Sequence, residues 1–186
     1  MKNQVQYSTF LIALAAVFGV GFLSGVIVTT YKSPPVTTAE HDHGGSEEMI
    51  AALNEEIRQR PDNAEAWIRL GNLYFDTGRY NEAVNAYERA VELDPNNPDV
   101  WTDLGVMYRR TNQPEKAVDV FGKAVALDPD HKTARFNTGI VLLFDLDKRE
   151  EALSAWKSLL KIDPLFTTPA GQSLDELIDQ YSVPSG

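Results

Sequence analysis

The chain has 186 residues, 43% of them hydrophobic, contains no cysteine and carries a formal net charge of −10. That length holds one modest domain, and the missing thiols exclude disulfides, thiolate metal centres and cysteine nucleophiles. Residues 1–39 hold only Lys2 and Lys32 and no acid, so the acidic excess falls on the remainder. An acidic soluble part argues against nucleic acid, where cationic side chains replace condensed counterions. It equally disfavours docking onto anionic lipid heads, and it suits solubility.

After a short tail (1–9), Phe10 to Val28 is an unbroken apolar or small run without charge (FLIALAAVFGVGFLSGVIV). As a helix it is about 28 Å long, close to the hydrocarbon thickness of a bilayer. Inside lipid a single span must pair its own backbone, which a helix does. A cleavable signal peptide is the competing reading, but its apolar region is usually shorter, about 7–15 residues, and ends in a small-x-small site. This run ends in Thr29-Thr30-Tyr31-Lys32 instead. Residues 10–31 are therefore predicted to be a retained transmembrane anchor. Lys2 and Lys32 flank it almost evenly, so the positive-inside bias is weak. The short tail favours an inside N-terminus with the rest exported. Gly21 and Gly25 have the GxxxG spacing that lets two spans pack closely, and a homodimer through them is one expectation.

Residues 32–46 are rich in proline, threonine and glycine and read as a flexible tether. His41-Asp42-His43 lacks the further ligands that fix a metal, so it is read as solvated linker. Ser46 to Arg60 then places Ile50, Leu53 and Ile57 on one helical face and stops at Pro61. Residues 47–63 are predicted to be an N-terminal capping helix.

From residue 64 the chain repeats itself. Trp67 falls on Trp101, Leu70-Gly71 on Leu104-Gly105 and Tyr74 on Tyr108. Ala83 falls on Ala117, Tyr87 on Phe121, Ala90 on Ala124 and Asp94-Pro95 on Asp128-Pro129, every offset being 34. Each unit reads as two amphipathic helices around a break. Gly78 suits a left-handed helix terminus, Pro95 ends the second helix, and Asn97-Pro98 starts the next. Small residues at Gly71 and Ala83 let the paired helices approach, and Trp67, Tyr74 and Tyr87 fill the space around them. Trp101 is expected to be a buried aromatic whose loss costs about 3–5 kcal/mol. The units are 64–97, 98–131 and 132–166. The third keeps Gly139, Ala152, Trp156 and Asp163-Pro164 but has Arg135 for tryptophan, Thr138 for leucine, Leu142 for tyrosine and one extra residue in its turn. In the last segment, 167–186, Ser173 to Glu176 reads as a capping box. It opens a helix with Leu174, Leu177, Ile178 and Tyr181 on one stripe, covering the end of the array.

The pattern W-x2-LG-x2-Y, then A-x3-[YF]-x2-A and P, at a period of 34 resembles the tetratricopeptide repeat (TPR), over about residues 47–182. The resemblance implies an all-α, right-handed α-solenoid of helix-turn-helix repeats, here preceded by one transmembrane helix. It implies a concave face built mainly from the first helix of each repeat. The inward positions would be Ile68, Arg69, Asn72 and Phe75, then Thr102, Asp103, Val106 and Arg109, then Phe136, Asn137 and Ile140. Such a mixed apolar and cationic face suits an extended or helical peptide segment. Some members bind chaperone C-termini through a carboxylate clamp. Asn72 matches one clamp position, but Ile68, Asp103, Thr133 and Asn137 occupy the others without the required cations, so that mode is not expected.

No feature points to catalysis. The three histidines sit in the linker and in an inter-repeat loop, and the carboxylates lie at solvent-facing helical spacing. The expectation is a non-enzymatic module that needs no cofactor, holds a protein or peptide partner and sits in a bacterial inner membrane with its repeats in the periplasm. Anchor plus repeats resembles bacterial envelope-assembly factors, including the TPR component of c-type cytochrome maturation. A structural scaffold subunit of a membrane complex is the alternative.

Overall fold

The computed structural model describes residues 43–182. Eight helices follow in order: α1 His43–Gln59, α2 Ala64–Asp76, α3 Tyr80–Leu93, α4 Pro98–Arg110, α5 Pro114–Leu127, α6 Lys132–Phe144, α7 Arg149–Ile162 and α8 Leu174–Ser182. Among the described residues there is no strand, only an isolated antiparallel bridge between Thr167 and Ser173. The expected anchor at 10–31, with Gly21 and Gly25, lies outside the described residues, as do His41 and Asp42. No described helix is long and apolar enough to cross a membrane. The expected tether is shortened, because α1 already begins at His43.

The first helix of each repeat is started by a side chain that satisfies a free backbone N–H. The Asn63 side chain accepts from Ala66 N, and the Asn97 side chain accepts from Asp99 N and Val100 N with Pro98 in the first turn. The third cap is His131, whose Nδ1 accepts from Ala134 N at 3.1 Å. The sequence placed this histidine in a loop and gave it no role.

Each first helix then reverses through one left-handed residue: Gly78 (φ 73°), Asn112 (φ 59°) and Asp147 (φ 54°). Glycine adopts that conformation freely, and asparagine and aspartate are the side chains that tolerate it best. Arg79 N donates to Tyr74 O and Gln113 N to Tyr108 O, but Lys148 N reaches back one residue further, to Leu142 O. The extra residue of the third unit is absorbed there, and its second helix resumes the common packing.

Successive helices pack on one another, most closely α2 on α3, α4 on α5 and α6 on α7, and α4 also touches α6. The close approach within each pair is set by Gly71, Gly105 and Gly139. Tyr87, Phe121 and Trp156 respectively lie where a Cβ on each glycine would stand, with nearest ring atoms at 2.7, 2.4 and 2.1 Å. Three apolar clusters lie along the array. Ile50, Leu53 and Ile57 seal its start against Ala66 and Leu70. Leu174, Leu177 and Ile178 seal its end against Leu153, Trp156 and Leu159.

Trp101 departs from expectation. It is half-buried, its indole N–H donates to Pro95 O at 2.8 Å, and the Lys123 ammonium sits 4.2 Å above its ring. Trp67 makes the equivalent bond to Pro61 O. Arg135, standing where tryptophan was expected, donates to Pro129 O from both Nε and Nη2. The guanidinium thus replaces the indole as the donor that ties a first helix to the preceding loop, which is how the third unit keeps its geometry without the aromatic.

Candidate functional site

The first helices α2, α4 and α6 expose recurring positions 34 residues apart. One row is Arg69, Asp103 and Asn137; a second is Asn72, Val106 and Ile140; Phe75 and Arg109 form a third. Arg69, Asn72, Phe75, Asp103 and Arg109 are exposed, whereas Val106, Asn137 and Ile140 are half-buried. In a fourth row, Ile68, Thr102 and Phe136, the structure corrects Thr102 and Phe136 and leaves Ile68 half-buried like Val106. Ile68 packs against the central core, and Thr102 is buried with its hydroxyl donating to Pro98 O at 2.9 Å. Phe136 is buried between Trp156 and Phe166. This row sits deeper in the packing than its helical spacing suggested, so Thr102 and Phe136 offer no surface to a ligand.

Between α4 and α6 lies a cleft of about 530 Å³ lined by Val106, Arg109, Arg110, Asn137, Ile140 and Asp145, with Phe121 at its base. Arg109 grips Asp145 through Nε to Oδ2 and Nη2 to Oδ1, a two-pronged bond from the second repeat to the lengthened turn of the third. Arg69 is paired more loosely with Glu56 at 3.5 Å. The Asn72 amide oxygen accepts from the Tyr87 hydroxyl at 2.6 Å, leaving its NH2 available. Phe75 is 40% exposed, its ring tilted against Tyr80. The sequence missed Arg110 and Asp145. Position 110 falls on Asp76 and Phe144 in the other repeats, so no recurrence marks it, and Asp145 belongs to the irregular turn.

Asp103 stands exposed on the groove side of α4, yet the surrounding protein displaces enough water to raise its carboxyl pKa to about 6. Asp99 adds to the rise and His131 opposes it. His131 Nδ1 accepts from the backbone, so Nε2 carries the proton and donates to Asp99 Oδ1 at 3.0 Å. A carboxyl pKa above its unfolded value means the native state holds its proton to higher pH. Stability contributed by Asp103 therefore falls as pH rises from about 4 to about 6. Asp103→Asn is expected to stabilise the protein at pH 7 by about 1 kcal/mol, screening of the exposed group included. The gain should vanish near pH 4. Denaturant melts of both proteins across that range check it; an equal gain at every pH would contradict the assignment.

Among the described residues no group of three or more histidine or acidic side chains is placed to hold a metal ion. The chain is similar to several solved structures. One is MamA, with 25% identity and a TM-score of 0.63, covering 66% of this chain and 71% of that one. Another is the first TPR of Spaghetti (RPAP3) bound to the HSP90 peptide SRMEEVD, with 28% identity and a TM-score of 0.57, covering 64% and 90%. A third is YrrB, described as a TPR protein with an unusual peptide-binding site, with 27% identity and a TM-score of 0.58, covering 65% and 62%. No curated protein sequence matches significantly. The family model of the cytochrome c-type biogenesis protein H TPR domain matches residues 37–164, well over half the chain. With its repeat signature, its helical solenoid and that match, the chain belongs to the TPR family typified by cytochrome c-type biogenesis protein H.

Proposed function

We propose that this protein is a membrane-anchored interaction module that holds a peptide segment of a partner along the concave face, and acts as an adaptor in the assembly of envelope proteins such as c-type cytochromes. The observation that carries the reading is the cleft between α4 and α6. It combines apolar walls at Val106 and Ile140 with guanidinium and amide groups at Arg109, Arg110 and Asn137. Aliphatic walls take a side chain out of water, while the polar groups match peptide carbonyls and carboxylates. Two of the similar structures are described as a peptide complex and as carrying a peptide-binding site. Family membership supplies the link to cytochrome c biogenesis. The apolar run at 10–28 is the proposed anchor, with the repeats outside the inner membrane. Asn72, Phe75, Val106, Arg109, Asn137 and Ile140 are the proposed contact residues, with Arg69 at the rim.

The double variant Arg109→Glu, Phe75→Ala is expected to lower crosslinked partner capture in spheroplasts about tenfold, two contacts of roughly 0.7 kcal/mol each. Arg109→Glu also breaks the ion pair to Asp145, so melting should fall by a few degrees while the domain stays folded, and capture is compared below that transition. Unchanged capture would remove the groove from the function.

A further inference from the structure

Helix α4 carries four charged side chains: Asp99, Asp103, Arg109 and Arg110. Arg109 is neutralised within the fold by Asp145, and Asp99 is engaged by a hydrogen bond from His131 Nε2. The other two are not so engaged. Asp103 makes no hydrogen bond or ion pair among the described residues. The Arg110 guanidinium meets only the face of the Tyr80 ring, 5.7 Å from its centroid. These unmatched charges are of opposite sign and seven residues apart, so they lie on one face of α4, two turns or about 10 Å from each other. Val106 stands between them on the same face, opposite Ile140 across the cleft. Val106 and Arg110 line the cleft and Asp103 lies one turn before them on α4, so along this helix face the order is anion, aliphatic wall, cation.

We propose that Asp103, Val106 and Arg110 read a helical partner segment that presents a basic, an aliphatic and an acidic side chain in matching order along one face. The proposal deepens the groove reading above and rests on it. The spacing selects the helical form. A helix lying along α4 repeats its rise, so residues i, i+3 and i+7 meet all three points at once. An extended strand returns to one face only every second residue, at about 7 and 14 Å, and misses the second charge. The raised carboxyl pKa of Asp103 agrees with a charge held in the free protein at a cost that a bound ammonium or guanidinium would relieve. Specificity then comes from both directions. A segment with the charges exchanged brings like against like, and a neutral one leaves both protein charges unmatched.

The test uses the full chain in detergent and two fluorescent helical probe peptides on an alanine–glutamine host. One carries Lys, Leu and Glu at i, i+3 and i+7, made in both chain directions; the other carries Gln, Leu and Gln there. The better charged probe should bind about tenfold more tightly than the neutral one. Asp103→Asn and Arg110→Gln should each remove about threefold of the charged probe's advantage over the neutral one. Equal affinity of the two probes, with both lost in Val106→Arg, would keep the groove and overturn the charge reading. Probes that do not bind, or that ignore Val106→Arg, would overturn both.

Discussion

Trp156→Ala is expected to destabilise the protein by about 3–5 kcal/mol, the range for deleting a large buried aromatic. Trp156 has no solvent exposure, stacks on Phe136 with ring centroids 6.2 Å apart, and donates its indole N–H to Phe136 O at 3.0 Å. Its removal opens a cavity where α6, α7 and α8 meet, a junction the surrounding backbone cannot collapse to fill. The half-exposed Trp101 is the internal comparison: its truncation should cost about half as much, since solvent already reaches one side of its ring. Denaturant unfolding of both variants decides the matter. Equal losses would mean that burial does not govern these positions.

The second large effect is a reversal of sign between two glycines of the same repeat. Alanine forms helix better than glycine by about 1 kcal/mol. At Gly122, exposed on α5 with nothing within 4 Å of an added Cβ, Gly122→Ala should stabilise by up to about that amount. At Gly105 the same Cβ would meet Phe121 Cε1 at 2.4 Å and Cδ1 at 2.7 Å. The Phe121 ring is fully buried and cannot swing aside, so α4 and α5 must separate. Overpacking of about 1–3 kcal/mol then outweighs the propensity gain, and Gly105→Ala should be destabilising. Melting temperatures moving in opposite directions are the expected result; parallel shifts would show that propensity dominates.

The fold was legible because its determinants recur. The glycines at 71, 105 and 139 and the rings at 87, 121 and 156 are contacts written three times, and the period lifts them above the noise of single positions. Capping by Asn97 with Pro98, and the left-handed Gly78, were read correctly because each rests on local backbone geometry. The groove was legible only in part. Helical periodicity gives a side chain's angle on its own helix but not the depth at which a neighbouring helix covers it. That is why Thr102 and Phe136 lie beneath the surface their spacing predicts. Arg110, Asp145 and the capping role of His131 depend on what a second element brings nearby, and one unit's spacing carries no record of that. Arg135 shows the converse: a departure from the pattern that alters chemistry while conserving the bond.

The sealed far end of the array limits assembly. A solenoid extends by offering its last apolar face to another unit, and one left bare would recruit further copies into a filament. Here Leu174, Leu177 and Ile178 of α8 occupy that face and turn Asp175, Glu176 and Asp179 outward. Among the described residues, the apolar face that would accept a further repeat at this end is therefore already covered, and an acidic surface stands in its place.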